Sequence, residues 1–413
     1  MSHLVLLTLG SRGDLQPLVA LAIEYKKKIS QHRLTIVAPI ELHYVYQHLY
    51  DLHNIHSYSI LQQAKSNKER IVERKQLWEA CQILKPTKLV YTTFVLEGWS
   101  IAEKLKIPSV VVSFFSLDLY PIPDEFEAEI IKSFPKLYDS QLRSIWYPHI
   151  HHWMWRLFLE DMGDFREFIL NLDPIPTCFD NIPPFIYAID PDLFYGNREG
   201  ATMGGFWSLM TKEKEINSND NRSQQKPILL IHFGSMDTLS PILCNIDQCS
   251  IFLDEIQQRI LEILAYNNNL FDIIWIISSQ DTILYKLVKA KFTTGYNSRL
   301  RIISPAIDHA AFIQSHNVFG IIHHGGMNTC FTMIQLGIPQ AIIPFMFDQH
   351  AWARKLTSIG LSKSISVNHS WVIVIDWMLL SLNNHIQHHW QNKVIQNTEK
   401  GFHDTIKILS NLS

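Results

Sequence analysis

Residues 9–17, LGSRGDLQP, follow an apolar run (Leu4, Val5, Leu6, Leu7) and set Ser11, Arg12, Gly13 and Asp14 between a glycine and Pro17. A strand that breaks into a glycine turn and feeds a helix exposes backbone N–H groups to an anion, and the helix N-terminus adds partial positive charge. Arg12 strengthens such a site, whereas the Asp14 carboxylate opposes it. Asp14 therefore either caps the helix or takes part in chemistry. A second constellation lies in 321–362. His323 and His324 close an apolar run, Gly325 and Gly326 let the backbone approach a ligand closely, and Asn328 and Thr329 open a helix. An imidazole, glycines and helix-terminal donors together make a cradle for a diphosphate. The next strand-like run ends at Asp348-Gln349, an acceptor and an amide suited to the paired hydroxyls of a sugar.

The elements that must position these residues alternate along the chain. Strand-like runs at 3–9, 33–38, 56–60, 88–92 and 107–115 are separated by amphipathic stretches near 16–29, 40–51, 66–84 and 96–106. That alternation predicts right-handed βαβ units and a parallel sheet covered on both faces. A Trp- and Phe-rich helical stretch follows from about 125 to 170. Residues 211–226, TKEKEINSNDNRSQQK, are polar and aperiodic and read as a linker. Beyond them PILLIHF opens a second alternating series. Each half begins with a strand that breaks into a Gly-Ser turn, Gly10-Ser11 and Gly234-Ser235. The expected fold class is α/β: an N-terminal Rossmann-like domain over 1–210, the linker, and a C-terminal Rossmann-like domain over 227–413 whose last helices pack back on the first. Two such domains facing across a cleft bind ligands at the C-terminal ends of their strands.

Bulk properties narrow the function classes. The 413 residues are 47% hydrophobic and 18% charged with a net charge of −3, which suits two soluble domains and gives no footprint for nucleic acid. Five scattered cysteines without metal spacing predict a reduced, cytoplasmic chain. The chain opens into its first strand with no basic leader, and its apolar runs are too short or interrupted for stable membrane insertion. His149, His151 and His152 do not share a helical face at i, i+4 spacing, so they read as part of an aromatic-rich helix and not as metal ligands.

Four ordered motifs carry a resemblance. GSRGDLQPLVALA, GGFW (204–207), IHFGSM (231–236) and HHGGMNT…PFMFDQHAWARKL span residues 4 to 362 and resemble glycosyltransferase family 1. These are the enzymes of GT-B fold, and the branch most resembled holds the sterol and glycopeptide-antibiotic glycosyltransferases. The resemblance implies a metal-independent, inverting transfer of a sugar from a nucleotide sugar, with UDP-glucose as co-substrate and no cofactor, to a hydroxyl of a lipophilic small molecule. A TDP-deoxysugar transferase and a non-catalytic nucleotide-sugar-binding partner of another transferase are the alternatives.

By that resemblance Asp14 is the general base. Ser11, Arg12, Ser235, His324, Gly326, Asn328 and Thr329 contact the donor phosphates, with Gly13 and Met327 in the same loops. Asp348 and Gln349 hold sugar hydroxyls, and His309 takes the ribose. The pattern departs at 304–312, SPAIDHAAF, where Ala306 stands in place of a base-stacking tryptophan and Ile307 becomes the expected wall of the base site. Thr332 stands in place of a ribose-binding glutamate. Phe114, Phe115, Asp118, Trp146 and Trp153 are the expected acceptor-site residues.

Overall fold

The computed structural model describes residues 2–61, 67–115, 163–173, 183–194, 201–209, 225–266, 270–292, 299–304, 309–346, 348–382 and 384–412. The expected linker thus lies almost wholly outside the described residues, as do Asp118, Trp146, Trp153, Ala306, Ile307 and most of the aromatic stretch. Two compact units divide the chain: Met1–Leu209 with Gln396–Ser413, and Met210–Ile395.

The first unit is a seven-stranded sheet in the order β3-β2-β1-β4-β5-β6-β7. Its strands are β1 (His3–Leu7), β2 (Arg33–Pro39), β3 (His56–Ile60), β4 (Lys88–Thr92), β5 (Ser109–Ser113), β6 (Phe185–Tyr187) and β7 (Ala201–Met203). Every pairing is parallel. Helices α1 (Arg12–Lys28), α2 (Ile40–His53), α3 (Asn67–Leu84) and α4 (Glu97–Leu105) make the crossovers. All five residues of β1 are buried. A strand covered on both faces by helices reads as a continuous apolar run, which is why HLVLL shows no alternation.

Helix α1 begins a turn earlier than the Asp-Leu-Gln-Pro pattern suggests. Ser11 is its N-cap, in extended conformation, and Pro17 lies inside the helix. Proline in the second turn removes one backbone bond, and the cap at Ser11 offsets that cost. The end of the aromatic stretch is a π-helical turn, Phe165–Leu170, whose Arg166 donates to Ser100 Oγ at 2.9 Å and pairs with Glu103 at 2.8 Å.

The second unit repeats the arrangement with six parallel strands in the order β10-β9-β8-β11-β12-β13. They are β8 (Ile228–His232), β9 (Asp272–Ile276), β10 (Leu300–Ile303), β11 (Val318–His323), β12 (Gln340–Ile342) and β13 (Ser362–Ser364). The helices between and after them are α5 (Met236–Leu239), α6 (Ile246–Tyr266), α7 (Ile283–Phe292), α8 (His309–Ser315), α9 (Met327–Leu336), α10 (Gln349–Ser358), α11 (Val372–Ser381) and α12 (His385–Asn411). Alternate residues of β8 feed opposite faces: Leu229 and Ile231 join a core with Trp275, while Ile228 and Leu230 join one with Met333. This is the period-2 geometry of a strand between two helical layers.

Helix α12 starts in the second unit, where Gln391 donates to the Gln335 carbonyl at 2.9 Å. It ends in the first, where Lys88 Nζ donates to the terminal carbonyls of Leu409 and Ser410 at 2.9 and 2.8 Å. The GGFW segment meets it there. A Cβ on Gly205 would stand 2.5 Å from the Asn397 carbonyl, and the backbone at Gly205 has φ +68°, so only glycine fits. Among the described residues no helix is long and apolar enough to cross a membrane.

Candidate active site

Both units have their first strand in the middle of the sheet, flanked by the second and fourth. The crossover direction therefore reverses between β1 and β4, and again between β8 and β11. Loops at the carboxyl ends of such a strand pair diverge and leave a crevice. Ser11, Arg12, Gly13, Asp14, Ser235, His324, Gly326, Met327, Asn328 and Thr329 fall on these loops or on the helix turns that follow them. Phe114 and Phe115 instead follow β5, His309 follows β10, and Asp348 and Gln349 follow β12.

In the first unit the turn after β1 holds Asp14 at the third position of α1. Its Oδ2 accepts from the Ser11 backbone N–H at 2.7 Å and from Ser11 Oγ at 3.1 Å, and Ser11 Oγ accepts from the Gly13 N–H at 3.1 Å. This is a capping box. Gly10 has φ +110°, and a Cβ there would lie 2.5 Å from Asp14 Oδ2, so the glycine is what lets the carboxylate fold back over the turn. No donor from another described residue reaches Oδ1. Burial pushes the Asp14 carboxyl up to about 6, against the hydrogen bonds from Ser11 that pull it down. Capping and chemistry are thus compatible: one oxygen fixes the side chain and the other is left to accept a proton. Arg12, half-buried beside it, has no ion-pair partner among the described residues.

Beside this turn lies the loop after β4, because β1 and β4 are paired through Leu7↔Tyr91. It carries Phe94, 45% exposed, whose ring sits 5.4 Å from that of Phe115 at the end of β5. Phe114 points the other way. It is buried edge-on against Trp207, with ring centroids 6.2 Å apart, and so belongs to the core and offers almost no surface to an acceptor. The chain bends beyond β5, pinned by Ser113 Oγ donating to the Phe115 carbonyl at 2.7 Å, and the two neighbouring rings have different partners.

In the second unit the turn after β8 is Gly234-Ser235 and the turn after β11 is His324-Gly325-Gly326. The imidazole of His324 lies between the two turns. A Cβ on Gly234 would stand 2.6 Å from its Cε1, and one on Gly326 would collide with its Nε2. Burial, and then the neighbouring His323 and His232, lower the His324 pKa well below its ordinary value, with the backbone of His232 pulling the other way. The ring is therefore neutral, and its buried Nδ1 has no hydrogen-bond partner among the described residues. His323 is built into the sheet. Its Nδ1 accepts from the Gly325 N–H at 3.1 Å and its Nε2 bonds Gln340 Oε1 at 2.9 Å, which fixes the tautomer.

Helix α9 starts after Gly326 with no side-chain cap. The first-turn N–H groups of Met327, Asn328 and Thr329 therefore have no intrahelical acceptor. Thr332 donates to the Asn328 carbonyl at 2.7 Å. The backbone of His309 opens α8, and its side chain lies outside the described set.

Beyond β12, Asp348 stands at the N-cap position of α10 without a side-chain capping bond, and its Oδ2 accepts from Trp352 Nε1 at 2.8 Å. Gln349 is buried, and its side chain is already engaged. Its Oε1 accepts from the Phe345 and Met346 N–H groups at 2.8 and 3.1 Å, and its amide nitrogen donates to Met236 Sδ at 3.2 Å. Gln349 thus ties the loop after β12 to the helix after β8 and shapes the site from behind.

Sequence reasoning passed over Asp237, two residues beyond Ser235. It is buried, and its Oδ2 accepts from Ser278 N at 2.9 Å and from Ser278 Oγ. Burial raises its pKa, and its Oδ1 is without a hydrogen bond among the described residues. A carboxylate so soon after a Gly-Ser turn was the available signal. Among the described residues no group of three or more His, Cys, Asp or Glu side chains is placed to hold a metal ion.

Comparison with solved structures decides the architecture. The glycosyltransferase of kitacinnamycin superposes with a TM-score of 0.66 at 14% identity, covering 100% of this chain and 99% of that one. SnogD of Streptomyces nogalater gives 0.64 at 14% identity with the same coverage. The fold is GT-B. A third GT-B glycosyltransferase, SsfS6 of Streptomyces sp. SF2575, was solved with thymidine diphosphate and gives 0.56 at 14% identity, covering 99% of each chain.

In sequence the chain is similar to the sterol 3-beta-glucosyltransferases of Pichia angusta, at 23% identity over 408 residues, and of Komagataella phaffii, at 25% over 401. These alignments take in 87% and 86% of this chain but 29% and 30% of those proteins, so it spans under a third of their length. A 59-residue stretch is 37% identical to part of a terpene cyclase–glycosyl transferase fusion protein of Humicola fuscoatra, 14% of this chain and 4% of that protein. No family model matches the chain.

Proposed function

We propose that this GT-B chain is an inverting glycosyltransferase that moves glucose from UDP-glucose to a hydroxyl of a lipophilic small molecule. The observation that carries the reading is Asp14, with one oxygen held by its capping box, the other receiving no bond from another described residue, and its pKa raised to about 6. A base works best when its pKa lies near the operating pH. In the reaction the acceptor hydroxyl gives its proton to Asp14 Oδ1 while its oxygen bonds to the anomeric carbon. The bond from that carbon to the diphosphate breaks, and UDP leaves with the electron pair. Such a displacement uses no covalent enzyme intermediate, cofactor or metal.

In this reading Ser235, neutral His324, Gly326 and the uncapped first turn of α9 receive the growing negative charge on the diphosphate. Neutral imidazole suits the task, since it donates a hydrogen bond without a charge that would have to be desolvated in the empty site. Asp348 takes a sugar hydroxyl, and Gln349 holds the loop that presents it. A cytoplasmic location belongs to the same reading and is supported by the free thiols of Cys81, Cys244, Cys249 and Cys330. The SsfS6 complex with thymidine diphosphate favours a TDP-sugar as the second donor to try.

The test is transfer from UDP-glucose and TDP-glucose to a panel of hydroxylated lipophilic acceptors, followed by mass spectrometry and by NMR of the anomeric proton. A β-glucoside formed from the α-linked donor supports the reading. Binding of donor with no product from any acceptor favours the non-catalytic alternative.

A further inference from the structure

Helix α12 opens with His385, His388 and His389, three histidines that have no part in the reading above. Asn384 starts the helix. Its Oδ1 accepts from the Ile386 N–H at 3.1 Å, and its carbonyl accepts from the His388 N–H at 3.3 Å. The inward face is fixed as well: Gln387 and Val394 are buried, and Gln391 donates to the Gln335 carbonyl at 2.9 Å. All three histidines are exposed on this anchored helix.

His385 and His389 are four residues apart, one turn of helix, and so share a face. Their rings lie parallel, with centroids 6.4 Å apart and planes inclined by 10°. Trp390 stands edge-on to His389 at 5.8 Å and holds the ammonium of Lys393 over its own ring at 4.9 Å. Two histidines one turn apart on a helix are a zinc-binding spacing. An ion with imidazole nitrogens at about 2.0–2.1 Å needs those nitrogens roughly 3 Å apart. Exposed rings close to that by rotation about their side-chain bonds, which is fast.

The surroundings select the ion. Residues 384–395 contain no Asp or Glu, so a hard cation that wants carboxylate oxygens has nothing to bind. Imidazole suits zinc, copper and nickel. Once one ring holds the ion, the other binds it intramolecularly, so the pair outdoes any single histidine.

We propose that His385 and His389 form a chelating site for a divalent transition ion of the imidazole-binding class, with water completing its shell. The ion clips together the first two turns of α12, the helix that starts in the second unit and ends in the first. It takes no part in sugar transfer, and the inference stands apart from the transferase reading.

The test is calorimetric titration of Zn2+ into the full chain, stripped of metal with a chelator, at neutral pH. The expected result is a site of micromolar Kd that His385→Ala and His389→Ala each weaken about tenfold or more. The double variant loses little beyond either single one, because each already breaks the chelate. His388→Ala stays within about twofold of the parent chain. Mg2+ gives no heat at this site. Tm rises with Zn2+ in the parent chain and in His388→Ala, and not in the other two variants, while the metal-free Tm is the same in all four. Absence of Zn2+ binding, or an isotherm unchanged in both His385→Ala and His389→Ala, overturns the inference. So do losses that simply add, as two independent histidines would give, or an equal loss in His388→Ala.

Discussion

The loops after β1 and β4 and the loops after β8 and β11 stand at equivalent points of two sheets with the same strand order, yet they have opposite chemistry. The first crevice holds a carboxyl whose pKa burial has raised to about 6, and the neighbouring loop carries Phe94, exposed, against the half-buried Phe115. The second holds an imidazole whose pKa burial has lowered, hemmed by glycines and by an uncapped helix. Desolvation acts on both in the same sense, disfavouring the charged form. It leaves the first unit with a carboxyl that titrates near pH 6 and the second with a neutral imidazole beside helix N–H groups without an intrahelical acceptor. The proposed reading assigns the first to the base and the second to the anion site. Shared architecture supplies the crevice, and a few side chains decide its sign.

The sharpest break of this contrast is Asp14→Asn. The amide oxygen still accepts from the Ser11 N–H and hydroxyl, so the helix start survives while the base is gone. Turnover is expected to fall by roughly 100- to 10,000-fold, the range for loss of a general base. Donor affinity, read by thermal shift with UDP-glucose, should stay within about twofold. More than half the activity remaining would leave Asp14 as a cap and nothing else.

Next in size is a pair of glycine substitutions, one in each crevice. A Cβ on Gly326 would collide with His324 Nε2, so Gly326→Ala must displace the ring. Losing its bond to a charged phosphate should raise the Kd for UDP roughly 10- to 100-fold. Gly13→Ala places its Cβ 3.3 Å from Ser11 Oγ at a helical position, and UDP affinity should change by less than about threefold. Calorimetric titration of UDP into both variants checks the pair. Equal losses would mean that the two turns share the diphosphate evenly.

Much of this was legible from residue patterns. Parallel sheets covered on both faces write themselves as unbroken apolar runs, so β1, β8 and β11 were plain. Gly-Ser and His-Gly-Gly marked the two turns, because close backbone approach demands glycine. Side-chain direction was less readable. Phe114 and Phe115 are adjacent in sequence and face opposite ways, and Gln349 turns inward toward Met236, a residue 113 positions away. The start of α1 was misplaced since Pro17 looks like a first-turn residue until the Ser11–Asp14 box is seen. Phe94 was passed over because a single phenylalanine after an apolar strand is usually core.

The pH profile separates the crevices again, with a smaller effect. In the proposed role Asp14 must be ionised to act, so kcat/KM should fall about fivefold between pH 6 and pH 5, and the limb should vanish in Asp14→Asn. The buried histidines, with pKa values already lowered, supply no limb near 6.5. Stability runs the other way. A carboxyl whose pKa is higher folded than unfolded contributes stability that is full below about 4 and is lost as pH rises through about 6. Asp14→Asn should therefore have a Tm at pH 8 no lower than that of the parent chain. An acid limb that persists in the variant would assign it to another group.

The smallest effect concerns the nucleobase end of the second crevice. Residues 304–309 offer Ala306 where the resembled family stacks an aromatic ring on the base. Such a stack is worth about 1–3 kcal/mol in nucleic-acid binding. Without it the expectation from the sequence is that backbone hydrogen bonds and apolar contact hold the base, with Ile307 as the wall. Those contacts read the pyrimidine edge that uracil and thymine share, and no residue of SPAIDH stands out as a barrier to one more methyl group. UDP- and TDP-glucose should therefore be used within about tenfold of each other, a gap of about 1.4 kcal/mol, which one methyl in an apolar pocket can decide. GDP-glucose should be much poorer, because a purine is larger and lacks the pyrimidine edge that those contacts are expected to read. Initial rates with the three donors at one acceptor concentration measure this. A preference for UDP over TDP beyond about a hundredfold would mean that the loop excludes the methyl through a contact its sequence does not reveal.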